Sequence, residues 1–182
     1  MFENIIQQLG EVLKDKISIP IVVGGWAVNY LGYTRNTLDF DIMIFEDDFS
    51  LIEKQLAKIG YQKAIQTELY ARFFVKNNDQ IPYIDCLFAD KQTYDKICLK
   101  GKKIDIFGMK YILPKVEHII AMKLHALYYG REYRLGKDFG DIVTLIEIHN
   151  MGVSEESEFY LLCEKYADKK IYREIKNAVI GK

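Results

Sequence analysis

The chain has little of what marks several protein classes. Its 182 residues include only three cysteines, and Cys86, Cys98 and Cys163 lie too far apart in the sequence to form a CxxC pair. An odd number of widely spaced cysteines argues against a disulfide framework and against a zinc site built on closely spaced thiols. We therefore expect reduced thiols in a cytoplasmic protein.

An excess of charge of one sign and long apolar runs are also absent. Lys and Arg number 25 and Asp and Glu 26, so the net charge is −1. This balance excludes an overall basic field that would coat a nucleic acid, and leaves a local basic groove open. No apolar run reaches the roughly 18 residues that a membrane span needs, and the stretch MFENIIQQLGEVL has no features of a signal peptide. We expect no membrane partner.

Hydrophobic residues make up 49% of the chain, enough for a full core. Their periodicity predicts an α/β (α+β) fold, with a mixed β-sheet and flanking helices in residues 1–113 and a C-terminal helical bundle in residues 114–182. Predicted strands cover 20–23, 38–45, 68–76, 81–88 and 103–107, with a short one ending at 113. Predicted helices cover 2–13, 26–31, about 48–59, 115–130, 137–150, 155–166 and 170–179.

Two aspartates interrupt the second predicted strand, LDFDIMIF. Side chains alternate along a strand, so Asp39 and Asp41 point to the same face of the sheet. The opposite face is predicted to be buried and consists of Leu38, Phe40, Ile42 and Ile44. Neighbouring carboxylates repel each other, and a divalent cation is the simplest counter-charge. The alternative is a pair of solvated acids, which strand propensity and the apolar neighbours disfavour.

Two further features belong with these aspartates. Gly24 and Gly25 follow the first strand, where a backbone without side chains can approach a phosphate at a helix start. Asp85 lies inside another apolar strand, IPYIDCLF, and three such acids suit two divalent cations about 3.5–4 Å apart. The alternative for Asp85 is an acid on an edge strand, which Pro82 supports.

The pattern of GG, thirteen intervening residues, D-x-D and a later strand Asp resembles the nucleotidyltransferase superfamily that includes DNA polymerase β. The longer string GGWAVNYLGYTRNTLDFDI resembles a subgroup with AbiE-type (AbiEii-like) abortive-infection toxins and lincosamide nucleotidyltransferases. The resemblance implies an enzyme that uses Mg²⁺ (or Mn²⁺) to move an NMP from an NTP to a hydroxyl. It implies that Gly24 and Gly25 bind phosphate and that Asp39, Asp41 and Asp85 bind metal. Many relatives carry Ser where this chain has Gly25.

The subgroup also implies a set of nucleotide-binding residues. Arg35 and Thr37 match its R-x-T-x-D-x-D pattern, and Arg35 either contacts a phosphate or braces the D-x-D loop.

A further element of the subgroup lies in the helical part. Lys123 falls inside an apolar stripe of its predicted helix, and the resemblance makes it a catalytic cation at the leaving pyrophosphate. Snorkelling from the stripe is the alternative. The string KDFGDI supplies Lys137, Asp138 and Asp141 as nucleotide-binding candidates. Helix capping is the alternative for Asp138, and an ion pair with Lys123 is the alternative for Asp141.

The acceptor of the nucleotidyl group stays open. The resemblance allows a toxin-like enzyme that modifies tRNA or another cellular target, such as a protein, with a possible antitoxin partner in a toxin–antitoxin pair. It equally allows a small molecule such as an antibiotic. The alternative function is a non-catalytic nucleotide-binding or interaction domain that retains the nucleotidyltransferase fold.

Overall fold

The structure, a computed structural model, describes residues 2–13, 17–78, 80–130 and 134–181. The chain divides into two compact units. The first contains the residues up to 27 together with 35–114, and the second contains 28–34 together with the residues from 115 onward. The segment 28–34, which the sequence-based division places in the first domain, belongs to the second unit.

The first unit holds a seven-stranded mixed sheet with the strand order β3-β4-β5-β2-β1-β7-β6. Its strands are β1 (Ile21–Val22), β2 (Asp39–Phe45), β3 (Tyr61–Gln66), β4 (Tyr70–Val75), β5 (Tyr83–Ala89), β6 (Lys102–Ile106) and β7 (Met109–Leu113). β2 pairs with β5 in parallel and with β1 in antiparallel orientation. The acid-bearing strand is therefore internal to the sheet, with a neighbour on each side.

Helices flank the sheet and make up most of the second unit. The helices that begin in the first unit are α1 (Phe2–Leu13), α2 (Gly24–Tyr30), α3 (Phe49–Lys58) and α4 (Lys91–Lys100). The second unit contains α5 (Val116–Tyr129), a π-helical turn (Leu135–Phe139), α6 (Gly140–Ile148), α7 (Glu158–Tyr166) and α8 (Lys169–Ile180). This mixed α/β architecture confirms the predicted fold class. None of the described helices is both long and apolar enough to cross a membrane.

Aromatic residues fill the core behind the acid-bearing strand. Phe40, only 1% exposed, lies on the face of β2 opposite to the aspartates, since its side chain alternates with theirs. Its ring meets Trp26 edge-on at 5.3 Å and Tyr111 at 5.7 Å between ring centroids, a geometry that aromatic pairs favour. Trp26 lies on α2, so the same contacts hold the glycine turn against the sheet.

The sequence analysis missed the strand β3 and the helix α4, and it placed Leu38 on the wrong face. β3 has one buried residue followed by five exposed ones, so it lacks the alternation on which strand prediction depends. α4 has only Tyr94 and Ile97 buried, although Asp90 caps it by accepting a hydrogen bond from the Thr93 N–H. Leu38 precedes β2 and is 81% exposed, whereas the sequence placed it on the buried face. It stands one residue outside the ladder that begins at Asp39.

The three cysteines are free thiols, as expected. Burial raises the pKa of Cys163 to about 12 and also raises the pKa values of Cys86 and Cys98. A thiol with a raised pKa stays protonated at neutral pH and is a poor nucleophile.

Replacing Phe40 by Ala tests this packing. We expect the free energy of unfolding to fall by about 3–5 kcal/mol, because a buried aromatic ring is lost and its cavity cannot close. Leu38→Ala, two residues away and exposed, serves as the control and should change stability by less than about 0.5 kcal/mol. Urea unfolding followed by circular dichroism measures both values, and equal losses in the two variants would contradict this register.

Candidate active site

The three predicted acids lie on one face of adjacent strands. The parallel pairing of β2 with β5 places Asp39 opposite Tyr83 and Asp41 opposite Asp85. Because residues paired across neighbouring strands point to the same side of a sheet, all three carboxylates share one face. Asp39 and Asp41 are half-buried and Asp85 is buried. The structure thus brings Asp85 beside Asp39 and Asp41, although it lies more than forty residues further along the chain.

The glycine turn touches the same acids. β1 leads into it, and the Val23 N–H donates a hydrogen bond to the Asp41 carbonyl at 3.0 Å. Gly24 has a φ of +58°, a conformation that residues with a Cβ adopt at a cost. A Cβ built on Gly24 would collide with the Asp41 carboxylate. Glycine is therefore required there both by the backbone angle and by the approach of Asp41. α2 starts at Gly24 itself, two residues earlier than predicted.

Gly25 makes room for the loop that precedes β2. A Cβ at this position would collide with the side chain of Thr37, and its distance to the Arg35 Nη1 would be 3.3 Å. The Thr37 hydroxyl donates to the Asp39 carbonyl at 3.3 Å, and Arg35 donates to the Asn36 carbonyl at 3.0 Å. Arg35 and Thr37 thus lie beside the glycine turn, with Thr37 bracing the start of the acid-bearing strand.

One functional candidate was missed by the sequence analysis. Arg72, on β4, donates from Nε to Asp85 Oδ1 at 2.7 Å and from Nη2 to Asp85 Oδ2 at 2.5 Å. The pair is bidentate, the geometry in which a guanidinium binds a carboxylate most strongly. A signal existed, because Arg72 interrupts the otherwise apolar string YARFFV. Its partner could not be identified without the pairing of β4 with β5.

The residues around Arg72 stabilise its positive charge. The hydrogen bond with Asp85 raises the pKa of the Arg72 guanidinium and outweighs the lowering effect of burial, and the negative charges of Asp85 and Asp39 raise this pKa further. The guanidinium also lies over the ring of Tyr83, 5.5 Å from the centroid, within the range of a cation–π contact. Arg72 is therefore a permanent cation at the acid face.

The acid face fits a divalent cation in part. Asp39 and Asp41 offer two carboxylates from one strand, and Mg²⁺ is usually bound by one or two carboxylates together with substrate phosphates. Asp85 differs, since both of its oxygens accept hydrogen bonds from Arg72. Among the described residues, no group of three or more His, Cys, Asp or Glu side chains is arranged to hold a metal ion. The metal-ligand role of Asp85 stays a prediction.

A second charged cluster lies in the second unit. Lys123 on α5 is buried, and its Nζ lies 2.9 Å from Asp138 Oδ1 and 2.6 Å from Asp141 Oδ2. The side chains of the three residues are 8%, 3% and 1% exposed. The structure therefore shows the ion pair with Asp141 that the sequence left open. A buried ammonium between two carboxylates contributes to the stability of the fold mainly by compensating their charges.

The π-helical turn delivers Asp138 to this cluster. Asp138 lies within that turn and is buried, so it does not cap the following helix. Arg134 approaches its second carboxylate oxygen, Oδ2, at 3.5 Å. Lys137 is exposed on the same turn. The KDFGDI element thus divides into two buried acids that hold Lys123 and one exposed cation.

The chain has the fold of nucleotidyltransferases. Similar solved structures include the antibiotic-resistance factor ANT(2'')-Ia in complex with adenylyl-2''-tobramycin, at 16% identity and a TM-score of 0.56, covering 98% of this chain and 97% of that one. The lincosamide antibiotic adenylyltransferase LnuA, bound to lincomycin, has 14% identity and a TM-score of 0.57, covering 80% of this chain and 97% of that one.

A third similar structure is an antigenic nucleotidyltransferase-like protein from Paracoccidioides brasiliensis, with 18% identity, a TM-score of 0.53 and coverage of 100% of this chain and 97% of that one. No protein-family model and no curated protein matches the chain. The predicted resemblance to nucleotidyltransferases is therefore confirmed at the level of the fold. At such low identities the activity has to be argued from the residues.

Gly24→Ala tests the contact between the glycine turn and Asp41. We expect it to cost more than the roughly 1–2 kcal/mol of a left-handed conformation alone, because the added methyl group also displaces the Asp41 carboxylate. Gly108→Ala is the matched control, since Gly108 has a φ of +82° and open space around its Cβ position. Thermal unfolding of both variants measures the difference in stability. Equal losses of stability would mean that the Asp41 carboxylate moves aside without an energetic cost.

Lys123→Met tests the buried cluster. We expect a loss of about 3–5 kcal/mol in the free energy of unfolding, because Asp138 and Asp141 would keep buried charges without their ammonium. Lys110→Met removes a lysine from an exposed ion pair with Asp105 and should cost less than about 1 kcal/mol. Adding Asp138→Asn and Asp141→Asn to Lys123→Met should restore part of the stability, and no restoration would contradict the charge explanation.

Proposed function

We propose that this protein is a metal-dependent nucleotidyltransferase that moves an NMP from an NTP to a hydroxyl group of an acceptor. The observation that carries the proposal is the acid face: Asp39, Asp41 and Asp85 share one side of two paired strands, and Asp41 abuts the glycine turn. This arrangement lies in a nucleotidyltransferase fold. Phosphoryl chemistry depends on positioning and on the compensation of phosphate charge, which such a face can supply with a cation.

The proposed reaction is a displacement at the α-phosphorus of the NTP. The acceptor oxygen forms a bond to this phosphorus, the bond to the β-phosphate oxygen breaks, and pyrophosphate leaves with the electron pair. Asp39 and Asp41 are assigned to hold Mg²⁺ or Mn²⁺, which when bound stabilises phosphate charge and lowers the pKa of the attacking hydroxyl. Gly24 and Gly25 are assigned to the phosphates, because the first N–H groups of a helix have no partner within it.

The remaining roles follow from the resemblance. Asp85 is assigned either to a second cation or to the acceptor proton, and Lys123 to the charge of the leaving pyrophosphate. Arg35, Thr37 and the KDFGDI residues Lys137, Asp138 and Asp141 are assigned to the nucleotide. We propose that residues 1–113 form the catalytic core and that residues 114–182 form a C-terminal helical subdomain.

Two kinds of acceptor fit this proposal. The similar structures LnuA and ANT(2'')-Ia hold lincomycin and adenylylated tobramycin respectively, which favours a small antibiotic with a free hydroxyl. The AbiE-type resemblance favours tRNA or another cellular target, with an antitoxin partner. We place the reaction in the cytoplasm, where the enzyme would encounter both NTP and either kind of acceptor. Expression in a bacterial host separates the two, since antibiotic transfer raises tolerance of one drug class and toxin-like transfer arrests growth.

Asp39→Asn and Asp41→Asn test the catalytic assignment. With Mg²⁺ or Mn²⁺ and a panel of antibiotic and tRNA acceptors, we expect pyrophosphate release to fall at least about a hundredfold, the scale of removing one group that stabilises transition-state charge. Radiolabelled NTPs identify the modified acceptor. Asp95→Asn, which alters an exposed acid of the first unit, is the control and should retain activity.

Full activity in Asp39→Asn and Asp41→Asn would refute the assignment. Calorimetric NTP binding without turnover on any acceptor would instead favour the alternative function, a nucleotide-binding or interaction domain that has kept the fold.

A further inference from the structure

Arg72 gives the acid face a cation of its own. β5 lies between β4 and β2 in the sheet, and its Asp85 pairs across with Arg72 on one side and with Asp41 on the other. Adjacent strands are about 4.8 Å apart. The Asp85 carboxylate therefore stands between a guanidinium and another carboxylate, and it is bound to the guanidinium by two hydrogen bonds.

This pair compensates a charge that the fold has buried. The Asp85 side chain is only 10% exposed, whereas that of Arg72 is 40% exposed. A buried carboxylate is costly unless it is paired and hydrogen-bonded, and here a second acid on the neighbouring strand adds repulsion. Arg72 therefore stabilises the acid face when that face carries no metal ion.

A divalent cation at Asp39 and Asp41 would change this balance. It would bring positive charge to the same face of the sheet as the Arg72 guanidinium, which also senses the charge of Asp39. Two cations that share one cluster of acids repel each other, and a carboxylate whose two oxygens are hydrogen-bonded is a weaker ligand. The Arg72–Asp85 pair and a bound metal ion would thus compete for the same negative charge.

We propose that Arg72 is a positioning residue that holds Asp85 away from the metal ion and weakens cation binding at the acid face. The inference rests on the proposed function, because it takes Asp39 and Asp41 as the metal ligands. Arg72 acts through Asp85 and through its charge, and the ring of Tyr83 beneath the guanidinium favours this position. Cation binding is then coupled to the opening of the Arg72–Asp85 pair.

Mn²⁺ binding to the complete chain, without nucleotide, tests the proposal. We expect Arg72→Met to lower the melting temperature in the absence of metal and to bind Mn²⁺ about tenfold more tightly, equivalent to about 1.4 kcal/mol. Electron paramagnetic resonance of free Mn²⁺ gives the affinity. Lys110→Met makes the same change in net charge in the same unit, at an exposed pair, and should leave the affinity close to that of the wild type.

A double-mutant cycle shows whether Arg72 acts through Asp85. In an Asp85→Asn background, Arg72→Met should alter Mn²⁺ affinity less than it does in the wild type. Arg72→Lys keeps the charge, loses the bidentate fork and should tighten binding by a smaller factor. If Arg72→Met does not fold, Arg72→Lys decides the question: tighter binding supports the proposal, and unchanged or weaker binding overturns it.

The outcomes separate this inference from the proposed function. Mn²⁺ binding that depends on Asp39 and Asp41, and is equally tight or weaker in Arg72→Met, overturns the role of Arg72 alone. No Mn²⁺ binding by either the wild type or Arg72→Met overturns the metal site, and with it both proposals.

Discussion

The parallel pairing of β2 with β5 is the constraint from which the acid face follows. It brings Asp41 and Asp85 side by side on one face of the sheet, although like charges in neighbouring positions repel each other. The other face of β2 is anchored by the buried aromatic contacts of Phe40. The acids cannot move to the other face, since a shift by one residue would also expose that core. Their negative charge therefore has to be compensated on this face of the sheet.

Compensation takes a different form in each unit. In the first, a guanidinium from the next strand binds Asp85 with both arms of its fork, while the half-buried Asp39 and Asp41 face a turn whose glycine makes room for Asp41. In the second, the ammonium of Lys123 lies between two buried carboxylates. Each arrangement contains a residue, Asp85 or Lys123, that the sequence pattern marks as a charge within an apolar element. Of these two clusters, the acid face is the one that lies beside the glycine turn.

Much of this could be predicted from local patterns. The alternation in LDFDIMIF correctly places Asp39 and Asp41 on one face, and the apolar stripe of α5 correctly includes the buried Lys123. The prediction for Leu38 was wrong because alternation continues past the end of a hydrogen-bonded ladder without marking where the ladder stops. β3 was missed because an exposed strand carries no hydrophobic alternation, so its existence depends on pairing with β4.

The sequence by itself determined the fold class, the DxD strand and the glycine turn, because backbone angles and side-chain alternation depend on near neighbours in the chain. Only the tertiary structure decided that Arg72 pairs with Asp85. Arg72 and Asp85 are thirteen residues apart, and they pair because β4 lies beside β5 in one particular register. Strand order and register depend on packing across the whole sheet, and no local pattern encodes them.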